Sequence, residues 1–382
     1  MKKTIYLYPP KIQKSFLSYI KKCIKNSMVS TAGDMVVKFE DMISKYTRSK
    51  HAVAFNSGTS ALEIAIKAVG IEPNTEILVP TLTFVATINS VVNNNCIPIF
   101  MDCDDYYNLD VDKVKKFLLK NTYRKKNQCI NKISHKRISA VVITHVWGNA
   151  ANVNKLKKIC KVNQIKIIED ASESLGTFYN DNKNKHTGTV GDVGVISFNA
   201  NKIITTGGGG MLLTNSKKIA LKAKHLSTQA KKDSVFFIHD DVGNNSRMTN
   251  ISAALGISQF KNLKKIISQK TKIRTQYKKK LKDISDITLA ETPSYSKNNN
   301  WMNVIKSKKK IQLKKMVKNF YKNKIQVRPV WKLNHLQKPF KSYQKFNITK
   351  AKYLYERSLC LPSFPHLSEK EISLIVDVFN EK

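Results

Sequence analysis

Short apolar strands alternate with helical patterns between residues 51 and 170, and this alternation restricts the possible folds more than any other feature of the chain. The candidate strands cover residues 51–55, 77–80, 97–101, 138–144 and 165–168. Strands joined by single helices pair in parallel, and the helices cover both faces of the sheet. We therefore predict an α/β fold with a mostly parallel sheet, whose ligands bind beyond the carboxyl ends of the strands.

Polar residues collect at those strand ends. Gly58 and Thr59 follow the first strand at the start of a helix, where free backbone N–H groups and the helix dipole favour an anion such as phosphate. Serine and threonine at a helix start are also typical of a simple cap, so this signal is not specific. Asp170 follows a buried strand, and a buried carboxylate needs a cation or hydrogen bonds.

Lys202 is the residue best suited to covalent chemistry. It follows an apolar strand at 193–198, and four glycines come after it at 207–210. A lysine that is held still and partly desolvated has a lowered pKa and can attack a carbonyl group. Most of the 67 Lys and Arg residues must lie on the surface. The small and apolar neighbours of Lys202 nevertheless favour a catalytic role for it.

The composition is that of a globular protein large enough for two domains, with 382 residues of which 41% are hydrophobic. We predict a lead-in segment at 1–27, a large domain at 28–260 and a small α+β C-terminal domain at 261–382. No apolar run of about 18 residues indicates a membrane span, and no signal peptide is recognisable. The six cysteines form no CxxC pair. We therefore expect a cytoplasmic protein with reduced thiols and no metal site.

The net charge of +40 has two interpretations. From residue 261 onward there are 30 Lys and Arg against 8 Asp and Glu, so +22 of the charge lies in the last third of the chain. The charge could attract nucleic acid or another polyanion. It could also reflect a composition bias, because lysine, asparagine and isoleucine are all overused. No nucleic-acid module accompanies the lysines, so we prefer the bias and expect no nucleic-acid partner.

Five motifs occur in an order that resembles the sugar aminotransferases of the DegT/DnrJ/EryC/StrS type, over about residues 28 to 380. The motifs are NSGTSAL at 56–62, PTLTFVAT at 80–87, EDASESLG at 169–176, SFNANK at 197–202 and GNNSRM at 243–248. The resemblance implies fold type I of the pyridoxal phosphate (PLP)-dependent transferases, a mostly parallel sheet flanked by helices with a smaller C-terminal domain.

The resemblance also implies the role of each site residue. Lys202 would carry PLP as a Schiff base and move protons, and Asp170 would pair with the protonated pyridine nitrogen. The other implied cofactor residues are Gly58, Thr59 and Ser197 at the phosphate, Phe84 on the ring face, Glu173 near the ring hydroxyl, and Asn245 from a neighbouring subunit. The resemblance therefore implies a homodimer with shared active sites. The residues implied to face the substrate are Arg328, Trp331 and His335.

The segments SFN-x-NKIITTGGGG, VSTAG and LPSF resemble the branch that aminates C4 of UDP-4-keto-6-deoxy-N-acetylglucosamine, with glutamate as the amino donor. Many relatives carry histidine where this chain has Asn199. The same reaction on a dTDP- or GDP-linked sugar, giving a viosamine- or perosamine-type product, is the nearest alternative. Further alternatives are a regulatory protein on the same fold and a polyanion-binding protein. A dehydratase of this superfamily would carry histidine in place of Lys202.

Overall fold

The structure is a computed structural model that describes residues 4–181 and 184–381. Its helices are α1 (Phe16–Lys25), α2 (Asp34–Thr47), α3 (Gly58–Ala68), α4 (Val85–Val92), α5 (Val111–Asn121), α6 (Val153–Asn163), α7 (Lys217–Ser227), α8 (Asn250–Phe260), α9 (Leu263–Lys280), α10 (Leu313–Lys322), α11 (Lys350–Tyr355) and α12 (Glu369–Asp377).

The strands that precede Lys202 are β1 (His51–Phe55), β2 (Glu76–Pro80), β3 (Ile97–Met101), β4 (Thr122–Lys125), β5 (Gln128–Asn131), β6 (Ile138–Thr144), β7 (Lys166–Asp170), β8 (Phe178–Tyr179) and β9 (Val193–Ser197). Those that follow it are β10 (Gly210–Thr214), β11 (Lys231–Asp233), β12 (Ile238–His239), β13 (Ile287–Leu289), β14 (Ser296–Lys297), β15 (Asn303–Ser307), β16 (Arg328–Pro329), β17 (Lys345–Phe346) and β18 (Ser358–Leu361).

The large sheet has the strand order β1-β10-β9-β7-β6-β2-β3-β17. All neighbours from β9 to β17 pair in parallel, whereas β10 is antiparallel to both β1 and β9. Strand β6 lies in the middle and is buried along its whole length, as a parallel strand covered on both faces must be. The predicted mostly parallel sheet is confirmed.

Helices pack on both faces of this sheet, so neighbouring strand residues contribute to different cores. In β7, Ile168 packs on the side of α3, α4 and α7, whereas Ile167 packs on the side of α5 and α6. In a third cluster, apolar side chains of α2 and α8 pack against those of β9 and β10. Strands β2, β6, β7 and β9 run in the same direction, so their carboxyl ends meet at one edge of the sheet.

A second, antiparallel sheet has the order β13-β15-β18-β16 and packs against α9, α10 and α12. The lead-in chain joins this part, because Ile5 pairs with Ile325. Two connections run back to the first half of the chain: β14 pairs with β8, and β17 extends the large sheet beside β3. The division near residue 260 stays a prediction, and these pairings cross it.

In the described residues, no helix combines the length and apolar character needed to cross a membrane. No cluster of three or more His, Cys, Asp or Glu side chains in the same ranges could hold a metal ion. The six cysteines are all buried and unpaired.

Candidate active site

A cavity of about 330 Å³ lies where the carboxyl ends of β2, β6, β7 and β9 meet the first turns of α3 and α4. This is the position at which open α/β sheets bind ligands. The residues that line it are Ser57, Gly58, Thr59, Leu62, Thr83, Phe84, Ala86, Thr87, Thr144, Asp170, Ser172, Glu173, Ser197, Asn199, Asn201, Lys202, Gly208, Gly209, Trp301 and Trp331. Eight predicted site residues are thus together: Gly58, Thr59, Phe84, Asp170, Glu173, Ser197, Lys202 and Trp331.

Lys202 lies on a turn directly after β9, in which its backbone N–H donates to the carbonyl of Asn199 at 3.0 Å. Its side chain is only 12% exposed, and its Nζ donates to Oε1 of Glu173 at 3.4 Å. The same Nζ lies 4.6 Å from the centre of the Trp301 ring. The indole N–H of Trp301 donates to the carbonyl of Asn201 at 2.7 Å, so the ring is fastened to the lysine turn.

Glu173 is buried beside Lys202 and is held from the other side by the backbone. Its Oε2 accepts a hydrogen bond from the N–H of Trp147 at 2.8 Å. Burial raises the pKa of Glu173 to about 7; the nearby charge of Asp170 adds to this, and Lys202 and the Trp147 N–H oppose it. Glu173 therefore changes its protonation state near neutral pH, within reach of the amine.

Asp170 ends a chain of hydroxyl groups that the sequence analysis did not identify. The Thr87 hydroxyl donates to Oδ2 of Asp170 at 2.6 Å. The Thr83 hydroxyl lies 3.1 Å from those of both Thr87 and Thr144. The N–H of Ser172 reaches Oδ1 at 3.2 Å. Thr83 and Thr87 are four residues apart in the PTLTFVAT motif, and this spacing could have indicated that their hydroxyl groups lie close together.

The first turn of α3 forms a concave cradle with the end of β9. The Ser57 hydroxyl caps the helix by accepting the N–H of Ser60 at 3.0 Å, while Gly58 and Thr59 line the cavity. The first N–H groups of a helix have no partner within it, so they are available to an anion. The approach to β9 is close, since a Cβ placed on Gly58 would lie 2.9 Å from Cβ of Ser197.

Aromatic rings form one side of the cavity. Phe84, at the start of α4, is 54% exposed, and its ring lies 6.2 Å from that of Trp331. Trp331 stacks on Trp147 at 4.2 Å, and Trp147 stacks in turn on Trp301 at 6.2 Å. Trp301 and Trp331 line the cavity, and Trp147, the third tryptophan of the chain, stacks between them. Sequence reasoning missed Trp147 and Trp301, because an isolated tryptophan in an apolar segment is typical of a core.

Three predicted residues lie away from the cavity lining in the described ranges. Arg328 is exposed, and its guanidinium contacts the Tyr321 hydroxyl. His335 is buried and shares a 2.6 Å hydrogen bond with the Thr81 hydroxyl; burial, with a contribution from Lys345, lowers its pKa. Asn245 is exposed, and its carbonyl accepts from the Asn56 side chain at 3.5 Å. Their predicted roles stay predictions.

The residues present fit PLP. The cavity offers an amine at its wall, an anion cradle at a helix N-terminus and an exposed ring at Phe84. Within residues 4–181 and 184–381, the donors to the buried carboxylate of Asp170 are the neutral hydroxyl and N–H already described, so the carboxylate could also pair with a protonated ring nitrogen. The fold and the site define a PLP-dependent transferase of fold type I.

Residues 10–380 match the DegT/DnrJ/EryC1/StrS aminotransferase family, so the chain belongs to this family of PLP-dependent sugar aminotransferases. It is 30% identical to the GDP-perosamine synthase of Escherichia coli O157:H7 over 381 residues, covering 99% of this chain and 98% of that protein. It is 29% identical over 289 residues to the UDP-4-amino-4,6-dideoxy-N-acetyl-beta-L-altrosamine transaminase of Campylobacter jejuni, covering 75% of this chain and 72% of that protein.

The crystal structure of a DegT DnrJ EryC1 StrS aminotransferase from Brucella abortus superposes with a TM-score of 0.86 at 26% identity. The superposition covers 96% of this chain and 94% of that one. The predicted family, fold type and enzyme class are confirmed.

Proposed function

We propose that this enzyme transfers an amino group from glutamate to the keto carbon of a nucleotide-linked 4-keto-6-deoxy sugar. The observation that carries the proposal is the presence of the Lys202 amine and the buried Asp170 carboxylate in one cavity, opposite the N-terminus of α3. UDP-4-keto-6-deoxy-N-acetylglucosamine is the first candidate substrate. The GDP-linked sugar is the second, because the chain matches a GDP-perosamine synthase over almost its whole length.

Lys202 would have two roles. Its Nζ is the point at which PLP would be attached, and between attachment steps the same atom would remove a proton from a substrate carbon and return it at another position. When bound, PLP supplies the electron-withdrawing ring that makes such a proton removable. The turn at Asn199 and the ring of Trp301 restrict the position of Nζ, which favours both transfers.

Asp170 and the cradle would orient the cofactor. The carboxylate of Asp170 would keep the ring nitrogen protonated, and the hydroxyl of Thr87 fixes the direction of that carboxylate. The N–H groups of Gly58 and Thr59, with the hydroxyl of Ser197, would bind the phosphate at the positive end of the α3 dipole.

The test uses purified protein and two lysine variants. The wild-type protein should show a PLP absorbance band that borohydride bleaches, and Lys202→Ala should lose both the band and turnover. Lys224→Ala is the matched control, because Lys224 also lies 3.4 Å from a glutamate oxygen but outside the cavity. An active Lys202→Ala protein would contradict the proposal. A panel of UDP-, GDP- and dTDP-linked 4-keto sugars then identifies the substrate.

We also propose a homodimer with shared sites. The segment around β11 and β12 exposes a row of apolar side chains, which suits burial against a second copy: Val235 at 74%, Phe236 at 77%, Phe237 at 68%, Ile238 at 51% and Val242 at 78%. Asn245 follows this segment and would reach the partner's phosphate. Mixing inactive Lys202→Ala and Asn245→Ala chains should restore activity, since one of the two sites in a mixed dimer is then intact. Cell fractionation would test the cytoplasmic location.

A further inference from the structure

The amine of Lys202 lies between a carboxylate and an aromatic face. On one side is the carboxylate of Glu173, whose Oε1 is 3.4 Å from Nζ. On the other is the face of Trp301, 4.6 Å away. The Glu173 side chain is 3% exposed and that of Lys202 is 12% exposed, so water screens this pair much less than it screens a surface ion pair.

The position of Glu173 depends on an unusual backbone conformation at Trp147. This residue has φ 59° and ψ 12°, which is the left-handed region. For a bulky residue this conformation is strained and persists only where the surroundings enforce it. The stacked rings of Trp301 and Trp331 enclose its side chain, and its N–H donates to Oε2 of Glu173 at 2.8 Å. The strain therefore aims a backbone donor at the carboxylate.

We propose that Glu173, oriented by the left-handed backbone of Trp147, is a positioning residue that holds the Lys202 amine and stabilises its ammonium form between two proton transfers. The inference rests on the proposed function, because only an amine released during turnover needs such a partner. It assigns to Glu173 a role toward Lys202 in addition to any contact with the cofactor.

The proton balance is simple. When the amine removes a proton, a C–H bond of the substrate breaks and an N–H bond forms on Nζ. The electron pair of the C–H bond stays on the substrate side, where the ring of bound PLP would accept it, and the ammonium gains Oε1 of Glu173 as its acceptor. When the proton is returned, that N–H bond breaks and a new bond to the substrate forms. No electron leaves the enzyme, and Glu173 keeps its own protonation state throughout. The carboxylate thus accepts a hydrogen bond from the ammonium for as long as Nζ carries the transferred proton.

Lys202, Asp170 and Cys360 are the titratable groups around Glu173 that matter most among the described residues. Asp170 is a like charge and raises the pKa of Glu173, whereas Lys202 lowers it. Burial, followed by the charge of Glu173, raises the pKa of the Cys360 thiol, so this thiol stays neutral and does not compete for the proton. Because burial raises the pKa of Glu173 to about 7, its carboxylate is charged above that pH and available to the ammonium.

The experiment measures the amine directly in the cofactor-free full-length chain. Lysines are reductively methylated over a range of pH, and the modification of the peptide containing Lys202 is quantified by mass spectrometry. Removing a negative charge at this distance disfavours the ammonium, so in Glu173→Gln the midpoint of the Lys202 reactivity profile should fall by about one to three pH units. The peptide containing Lys224 is the internal reference and should keep its midpoint.

Glu40→Gln is the matched control. Glu40 also accepts a backbone N–H at 2.8 Å, from Ala54, and its Oε1 also lies 3.4 Å from a lysine Nζ. Glu40 does not line the cavity, so this variant should leave the Lys202 midpoint unchanged. If Glu173→Gln does not fold, Glu173→Asp keeps the charge but retracts it by one methylene, and it should lower the midpoint by a smaller amount.

Equal Lys202 midpoints in the wild type and the folded Glu173 variant would overturn the inference, while the PLP band and its bleaching would still support the proposed function. Absence of the PLP band in the wild type would instead overturn the proposed function. A merely structural Glu173 would alter thermal stability and leave the midpoint where it is, so the two roles give different results.

Discussion

Gly58→Ala tests whether the cradle between α3 and β9 holds the phosphate. The added Cβ would lie 2.9 Å from Cβ, 3.1 Å from Oγ and 3.4 Å from Cα of Ser197. The first contact is shorter than carbon atoms tolerate, and Ser197 has a short side chain that cannot swing away from its own Cα. The start of α3 and the end of β9 must therefore move apart, and both carry groups that we assign to the phosphate.

The size of the effect follows from the cost of overpacking. Forcing one methyl group into a packed contact costs about 1–3 kcal/mol. If the strain relaxes by opening the cradle, that free energy is lost from PLP binding, which corresponds to a dissociation constant raised by about 5-fold to 150-fold. PLP affinity is measured by titrating the cofactor-free chain and following absorbance or tryptophan fluorescence.

Ser60→Ala is the control for Gly58→Ala. Ser60 lies on the same helix turn and is hydrogen-bonded to Ser57, but its side chain does not line the cavity. It should lower thermal stability slightly and leave PLP affinity within about twofold, since only one neutral hydrogen bond is affected. A Gly58→Ala protein that binds PLP as tightly as the wild type would refute the assignment of the cradle.

Two further substitutions test other parts of the structure. Asp170→Asn removes the charge proposed to hold the ring nitrogen protonated. The pKa of that nitrogen should fall by about one to three units, which should slow the glutamate half-reaction by about 10-fold to 1,000-fold in stopped-flow absorbance. An unchanged rate would contradict the ion pair. Asp102 is fully buried, and although burial alone would raise its pKa, Lys113 and three backbone N–H groups at the start of α11 hold it below the usual value. Its contribution to stability is therefore complete above the unfolded pKa of about 3.9 and is lost as the pH falls through the folded value. Asp102→Asn should cost about 3–5 kcal/mol at neutral pH in urea unfolding, and a stability loss that is equal at pH 7 and pH 3 would contradict this reasoning.

The parallel part of the sheet could be predicted from sequence because each strand carries its own signal. Strand β6 is a largely apolar run, and β7 ends in two acidic residues, Glu169 and Asp170, where the chain reaches the sheet edge. The antiparallel direction of β10 has a physical cause that we did not use. No helix lies between the end of β9 at Ser197 and the start of β10 at Gly210, and a parallel neighbour would need such a crossover. The chain therefore returns beside β9 in the opposite direction.

The strand ends also explain which site residues could be predicted from the sequence. Asp170 and Ser197 are the last residues of β7 and β9, close to the ends of the predicted strands, and Gly58 is the first residue of α3, so the sheet edge alone brings them together. The resemblance implies that Arg328 faces the substrate; in the structure it lies in β16, which covers only Arg328 and Pro329 at an edge of the second sheet. Its side chain packs on Tyr321. The sequence of this segment alone does not specify the direction in which a side chain of an edge strand points.

Trp301 reaches Lys202 through contacts between segments that are more than 100 residues apart. The side chain of Asn299 donates to the carbonyls of Glu173 at 2.8 Å and Leu175 at 2.9 Å, and its backbone N–H donates to the Thr177 hydroxyl at 3.0 Å. These bonds fasten the segment before β15 to the loop after Asp170. These hydrogen bonds could not be predicted from sequence, because a single asparagine that bonds to distant backbone and hydroxyl groups belongs to no periodic pattern. The position of Lys202 is therefore set by the sheet, whereas that of its aromatic neighbour Trp301 is set by a polar tether that only the folded chain reveals.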